Sequence, residues 1–68
     1  MFRLYYIRHY RKEFEDFSTV ERAEKHAAFI EDNSYGVPDV IVDDKGTIIK
    51  DLLDYNLVEG EDRTGKKY

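Results

Sequence analysis

The feature that most constrains this chain is the tetrad Ser18-Thr19-Val20-Glu21. It reads as a capping box, in which the Ser18 hydroxyl accepts from the Glu21 N–H and the Glu21 side chain reaches back. A helix therefore runs from about Thr19 to about Asp32, with Asn33, Ser34 and Gly36 as stop signals. At about 100° per residue, Val20, Ala23, Ala27 and Ile30 share one stripe, and the two alanines let the helix lie close to a sheet. Phe29 falls off that stripe, beside Arg22, His26 and Asn33, so it either wraps a sheet edge or meets another molecule. Glu21, Glu24, Glu31 and Asp32 form an acidic side broken by Lys25.

The flanking segments read as strands. Residues 2–12 place Phe2, Leu4, Tyr6 and Tyr10 on one side and Tyr5, Ile7 and His9 on the other, the first side facing the core. Val37 to Val42 is a second strand, with Pro38 near its start, where a missing N–H is tolerated on an edge. Asp43-Asp44-Lys45-Gly46 is a turn whose glycine takes the left-handed position, and Thr47-Ile48-Ile49-Lys50 opens a third strand. Residues 51–58 fit a helical face through Ile49, Leu52, Leu53 and Leu57, or a strand or irregular extension, which is the expectation adopted. The expected fold is α+β, with order β-α-β-β: a small antiparallel or mixed three-stranded sheet with one helix on one face. Residues 1–60 form the single domain, and 61–68 a flexible basic tail.

A chain of 68 residues buries only about 60% of its unfolded surface, and without cysteine no disulfide reinforces the thin core. The 41% hydrophobic content suffices for a globular fold, yet no stretch approaches the roughly 18 apolar residues of a membrane span. Arg8, His9 and Arg11 interrupt any signal-peptide core, which points to the cytoplasm. Apolar groups remain for the uncovered sheet face. A homodimer through Tyr5, Ile7, Leu53 and Tyr55 is the economical way to bury them.

Catalytic signatures find little support. His9 and His26 have no ligand-spaced companions, so neither a metal nor another cofactor is expected. Ser18 is committed as a cap and Ser34 to a turn, which leaves no nucleophile. Arg63-Thr64-Gly65-Lys66-Lys67 lacks the first glycine of a phosphate loop and has no following helix. Asp39, Asp43 and Asp44 miss the calcium-loop pattern because Ile41 stands at a ligand position. These residues point away from an enzyme.

Charge is the more informative pattern. Residues 1–12 carry Arg3, Arg8, Arg11 and Lys12 and no acid, whereas residues 13–62 hold all fifteen acids against Arg22, Lys25, Lys45 and Lys50. Arg63, Lys66 and Lys67 follow, so an acidic body lies between two short basic ends. Such a body repels phosphate backbones and attracts basic partners. Six tyrosines and four phenylalanines supply interface-forming aromatic surface.

In length, absence of cysteine, tyrosine content and acidic middle, the chain resembles the small early proteins with which tailed bacteriophages disable a host factor. Within that class it is similar to inhibitors that mimic DNA. The resemblance implies a basic, DNA-binding host protein as partner, such as a histone-like nucleoid protein. Carboxylates for that role are Glu24 and Glu31 on the helix, with Asp39, Asp43, Asp44, Asp51, Asp54 and Glu59 on the hairpin and beyond. Arg3, Arg8 and Arg11 are unusual on a mimic. They support the alternative of a nucleic-acid-binding module that stacks bases on Tyr5, Tyr6 and Tyr10. A plain homodimeric regulatory or structural domain is the third possibility.

Overall fold

A computed structural model describes residues 1–53 and 62–68. The elements are β1 (Phe2–Arg8), β2 (Arg11–Phe17), α1 (Val20–Asp32), β3 (Val37–Val42) and β4 (Ile48–Asp51). The strands form one antiparallel sheet in the order β2-β1-β3-β4, with α1 packed on one face. The α+β class is as expected, but the sheet has four strands and the order is β-β-α-β-β.

The extra strand comes from a break within residues 2–12. His9 and Tyr10 both take left-handed backbone, with φ of 53° and 63°, and so form a two-residue hairpin turn. Glycine and asparagine normally mark such turns, and neither is present here. Five of the seven β2 residues are charged, so its strand character emerges from its partners: Tyr5 opposite Phe14 and Arg3 opposite Asp16.

The helix begins one residue later than the capping box implies. Thr19 is the N-cap, with extended backbone, and its Oγ1 accepts the Arg22 N–H at 3.2 Å. Phe17 still pairs with Phe2 in the sheet, so Ser18 becomes the linking residue and Glu21 lies in the first turn, favourable to the helix dipole. At the other end, Ser34 is left-handed at φ 53°, and its N–H and that of Tyr35 bond the carbonyls of Glu31 and Ile30. This paired closure satisfies the last-turn acceptors. At Gly36 the chain passes so close to β1 that a Cβ would stand 2.7 Å from the Ile7 carbonyl oxygen.

Ala23, Ala27 and Ile30 are buried as the stripe requires, against Leu4, Tyr6 and Ile41, while Val20 is half-buried. Phe2, Phe17, Ile49 and Leu52 surround this core. Tyr10, placed on the core side by alternation, is instead fully exposed at the turn. Pro38 sits on an interior strand, buried opposite Tyr6, beyond the stretch of β3 that β4 pairs.

A second buried layer of Val40, Val42 and Ile48, with Tyr5 against it, occupies the sheet face away from the helix. Among the described residues, the C-terminal segment lies against it. Residues 62–68, read from sequence as part of a flexible tail, lie along β4. Ile48 N–H bonds Lys66 O at 2.8 Å, Gly65 N–H bonds Ile48 O at 2.7 Å, and Thr47 bridges Lys67. The Tyr68 ring then rests on Tyr5, with centroids 4.5 Å apart. Asp54, Tyr55, Leu57, Val58 and Glu59 lie outside the described residues.

Candidate functional site

The carboxylates singled out in the sequence separate into different tasks. A bulge in β3 against β1 leaves Asp39 between the paired residues Pro38 and Val40, and its side chain is only 5% exposed. Bulges re-aim side chains in this way. The Arg63 guanidinium reaches Asp39 Oδ1 at 2.6 Å and Asp51 Oδ1 at 2.8 Å through the same Nη2, and its Nε donates to Asp51 Oδ2 at 3.1 Å. The Tyr68 hydroxyl donates to Asp39 Oδ2 at 2.5 Å. Hydrogen bonding from Arg63 holds the Asp51 carboxyl well below the usual carboxylate range. Burial, then the bond to Asp39, pushes the Tyr68 phenol well above its ordinary range. Two acids are thereby committed to clamping the C-terminal segment.

Asp43 Oδ1 accepts the N–H groups of Lys45 and Thr47, both at 2.9 Å, so it organises its own turn. The Thr47 bond, followed by the one from Lys45, lowers its pKa. Asp44 pairs with the N-terminal ammonium at 2.8 Å, and Glu24 with Lys50 at 3.4 Å. Glu31 is exposed and has no ion pair among the described residues. Glu24, Glu31 and Asp51 border one open groove, Asp43 and Asp44 border another, and Asp39 is buried. Of the residues assigned to a dimer contact, Leu53 is buried within the chain, Tyr5 lies between Phe14 and Tyr68, and Ile7 is half-buried.

The basic first strand divides in the same manner. Arg3 makes a two-pronged contact with Asp16, at 2.7 and 3.1 Å, and stacks over Phe14 at 4.0 Å. That hydrogen-bonded pairing raises the Arg3 pKa and lowers that of Asp16. Arg8 lies at the other end of β1, its guanidinium 4.0 Å over the Tyr35 ring.

Around Arg8 the chain builds a distinct tip. The β1–β2 turn and the link from α1 to β3 enclose an open groove of about 500 Å³, lined by Ile7, Arg8, Tyr10, Tyr35 and Val37 with Glu31 on its wall. Val37 is 52% exposed, and Tyr10 is exposed throughout. Three local choices here run against stability. Two residues other than glycine hold left-handed backbone, Arg8 stands directly opposite Arg11, and a whole tyrosine faces water. Tyr35 and Val37 carry no signal in the sequence, because they join Arg8 and Tyr10 only through the fold. Arg8 and Arg11 were visible as charges, and their opposition appears with the hairpin.

His26 Nε2 faces the Glu15 carboxylate, and its ring lies between Phe17 and Phe29, with centroids at 5.3 and 5.7 Å. Phe29 stacks on His26 within its own helix and remains 52% exposed. Among the described residues no three histidine, cysteine or carboxylate side chains are grouped to hold a metal ion. No helix among them is long and apolar enough to cross a membrane. No protein-family model, curated protein or solved structure matches the chain.

Proposed function

We propose that this chain is a non-enzymatic binding domain that docks a protein partner at the tip between the β1–β2 turn and the start of β3. The observation that carries this reading is the concentration of unfavourable local choices around Tyr10. Backbone strain and like-charge opposition persist where surrounding structure enforces them, and such places are enriched in functional sites. Tyrosine and arginine are also the side chains that most often anchor protein interfaces. An apolar side chain of the partner fits between Tyr35 and Val37, with a neighbouring carboxylate beside Arg8.

Two other readings have less support. DNA mimicry needs clustered outward carboxylates, yet Asp39, Asp43 and Asp51 bond within the chain. Nucleic-acid binding through Arg3 and Tyr5 needs groups already engaged with Asp16, Phe14 and Tyr68, on a chain of net charge −4.

The test substitutes Tyr10→Asn, which removes the ring while asparagine tolerates the left-handed backbone. Immobilised wild-type chain is expected to retain a specific protein from a bacterial lysate, and the variant to lose it at least tenfold with unchanged thermal unfolding. Equal retention by the variant rejects the tip as the docking site. A labelled single-stranded oligonucleotide that binds at about 50 mM salt and dissociates at about 200 mM would replace this reading with the nucleic-acid one.

A further inference from the structure

β2 is an edge strand: β1 pairs one side, and among the described residues no strand pairs the other. Arg8 and Arg11 close its two-residue turn and so exchange their backbone hydrogen bonds. Alternation along the ladder then turns the N–H and C=O groups of Lys12, Phe14 and Asp16 away from β1, toward water. The same three side chains share the helix-free face, opposite Ile7, Tyr5 and Arg3. The outer rim of β2 therefore reads cation, aromatic, anion, at every second residue.

We infer that two copies of this chain pair antiparallel along β2, about a two-fold axis at Phe14, to form one continuous eight-stranded sheet. Reversing the rim gives anion, aromatic, cation. Phe14 thus meets Phe14 of the second copy, and Lys12 meets Asp16 of the second copy on either side. Each of these three pairs exchanges two backbone hydrogen bonds. The ring pair extends a row already begun by Tyr5 and Phe14, whose centroids are 5.9 Å apart. Asp16 then lies between Arg3 of its own chain and Lys12 of the other, an alternation of charge across the junction.

The exposed aromatic of this edge supports the same occupant. Phe14 is 50% exposed, and an added strand covers it. On the helix side Arg11 comes opposite Phe17, beside the Phe17, His26 and Phe29 rings. Glu13 comes opposite Glu15, a like-charge pair that is a cost of this register. A register shifted by two residues places Phe14 against a charge and leaves both Lys12 and Asp16 without an opposite charge. The pattern therefore selects a second copy in this register over an arbitrary strand.

Sedimentation of the intact chain from micromolar to millimolar concentration, combined with amide hydrogen exchange, tests the inference. The mass should double from 8.1 kDa as concentration rises. Over the same range, the Lys12, Phe14 and Asp16 amides should slow at least tenfold, while those of Glu13 and Glu15, which face β1, stay constant. Phe14→Pro removes an outward donor and the ring against Tyr5 and Arg3, keeps the ladder bonds to β1 and should leave a folded monomer; Lys12→Glu, which takes a cation from over the Tyr68 ring and sets like charges opposite, should weaken association at least tenfold. A monomer at millimolar concentration overturns the proposal. So does a dimer whose three amides exchange as in the monomer, or undiminished association of the folded variants.

Discussion

Thr19 and Ser18 are adjacent hydroxyl residues with different duties. Thr19 holds the extended backbone of an N-cap and accepts the Arg22 N–H, whereas Ser18 is exposed in the link from β2. Thr19→Ala should therefore lower unfolding free energy by about 1 kcal/mol in a urea titration. Ser18→Ala should stay within about 0.5 kcal/mol of wild type. A larger loss from Ser18→Ala than from Thr19→Ala would restore the capping box as first read. At this scale one position of register, set by where Phe17 leaves the sheet, decides which hydroxyl matters.

At the scale of elements, β4 and the C-terminal segment are held by an ion cluster as well as by backbone pairing. Arg63 joins Asp39 and Asp51, whose side chains are 5% and 3% exposed, while its own is 24% exposed. Arg63→Ala leaves both carboxylates without the guanidinium. The expected cost is about 2 kcal/mol, above the sub-kilocalorie value of an exposed pair and below that of a fully buried one. The same contacts set the pH response. Asp51 is lowered in the folded state, so its stabilisation is complete above the ordinary aspartate pKa of about 3.9 and is lost as pH falls below it. Tyr68 is raised, so the unfolded chain ionises first and stability falls once pH exceeds about 10. Thermal midpoints should decline on both flanks, and Tyr68→Phe should abolish the part of the alkaline decline that this phenol causes.

The whole molecule is a sheet with buried residues on both faces, in a body of 30 × 28 × 20 Å. The helix covers one face, and residues 62–68 lie along β4 and against Tyr5 on the other. Removing residues 62–68 bares Val40, Val42 and Ile48 and takes Arg63 and Tyr68 from Asp39. A chain this short has little stability in reserve. The truncated protein should show a lost or much lower unfolding transition by circular dichroism, with increased binding of a hydrophobic dye. An unchanged transition would show that the C-terminal segment is dispensable for the second layer.

The sequence by itself determined what depends on spacing along the chain: the stripe of Ala23, Ala27 and Ile30, the inward Leu4 and Tyr6, the strand from Val37 to Val42, and the turn ending at Gly46. Each follows from a period of 3.6 or 2, or from one glycine's backbone freedom, and needs no distant partner. Tertiary structure alone decided the rest. The charged residues 11–17 become a strand because β1 supplies the partners of their inward-facing backbone groups. Arg63 leaves the basic tail for the interior because Asp51 and Asp39, 12 and 24 residues earlier, meet it on one sheet face. The tip gathers Arg8, Tyr10, Tyr35 and Val37 across the fold in the same way. In each case the energy belongs to a pair of groups far apart in the chain, and neither member carries a mark of the other.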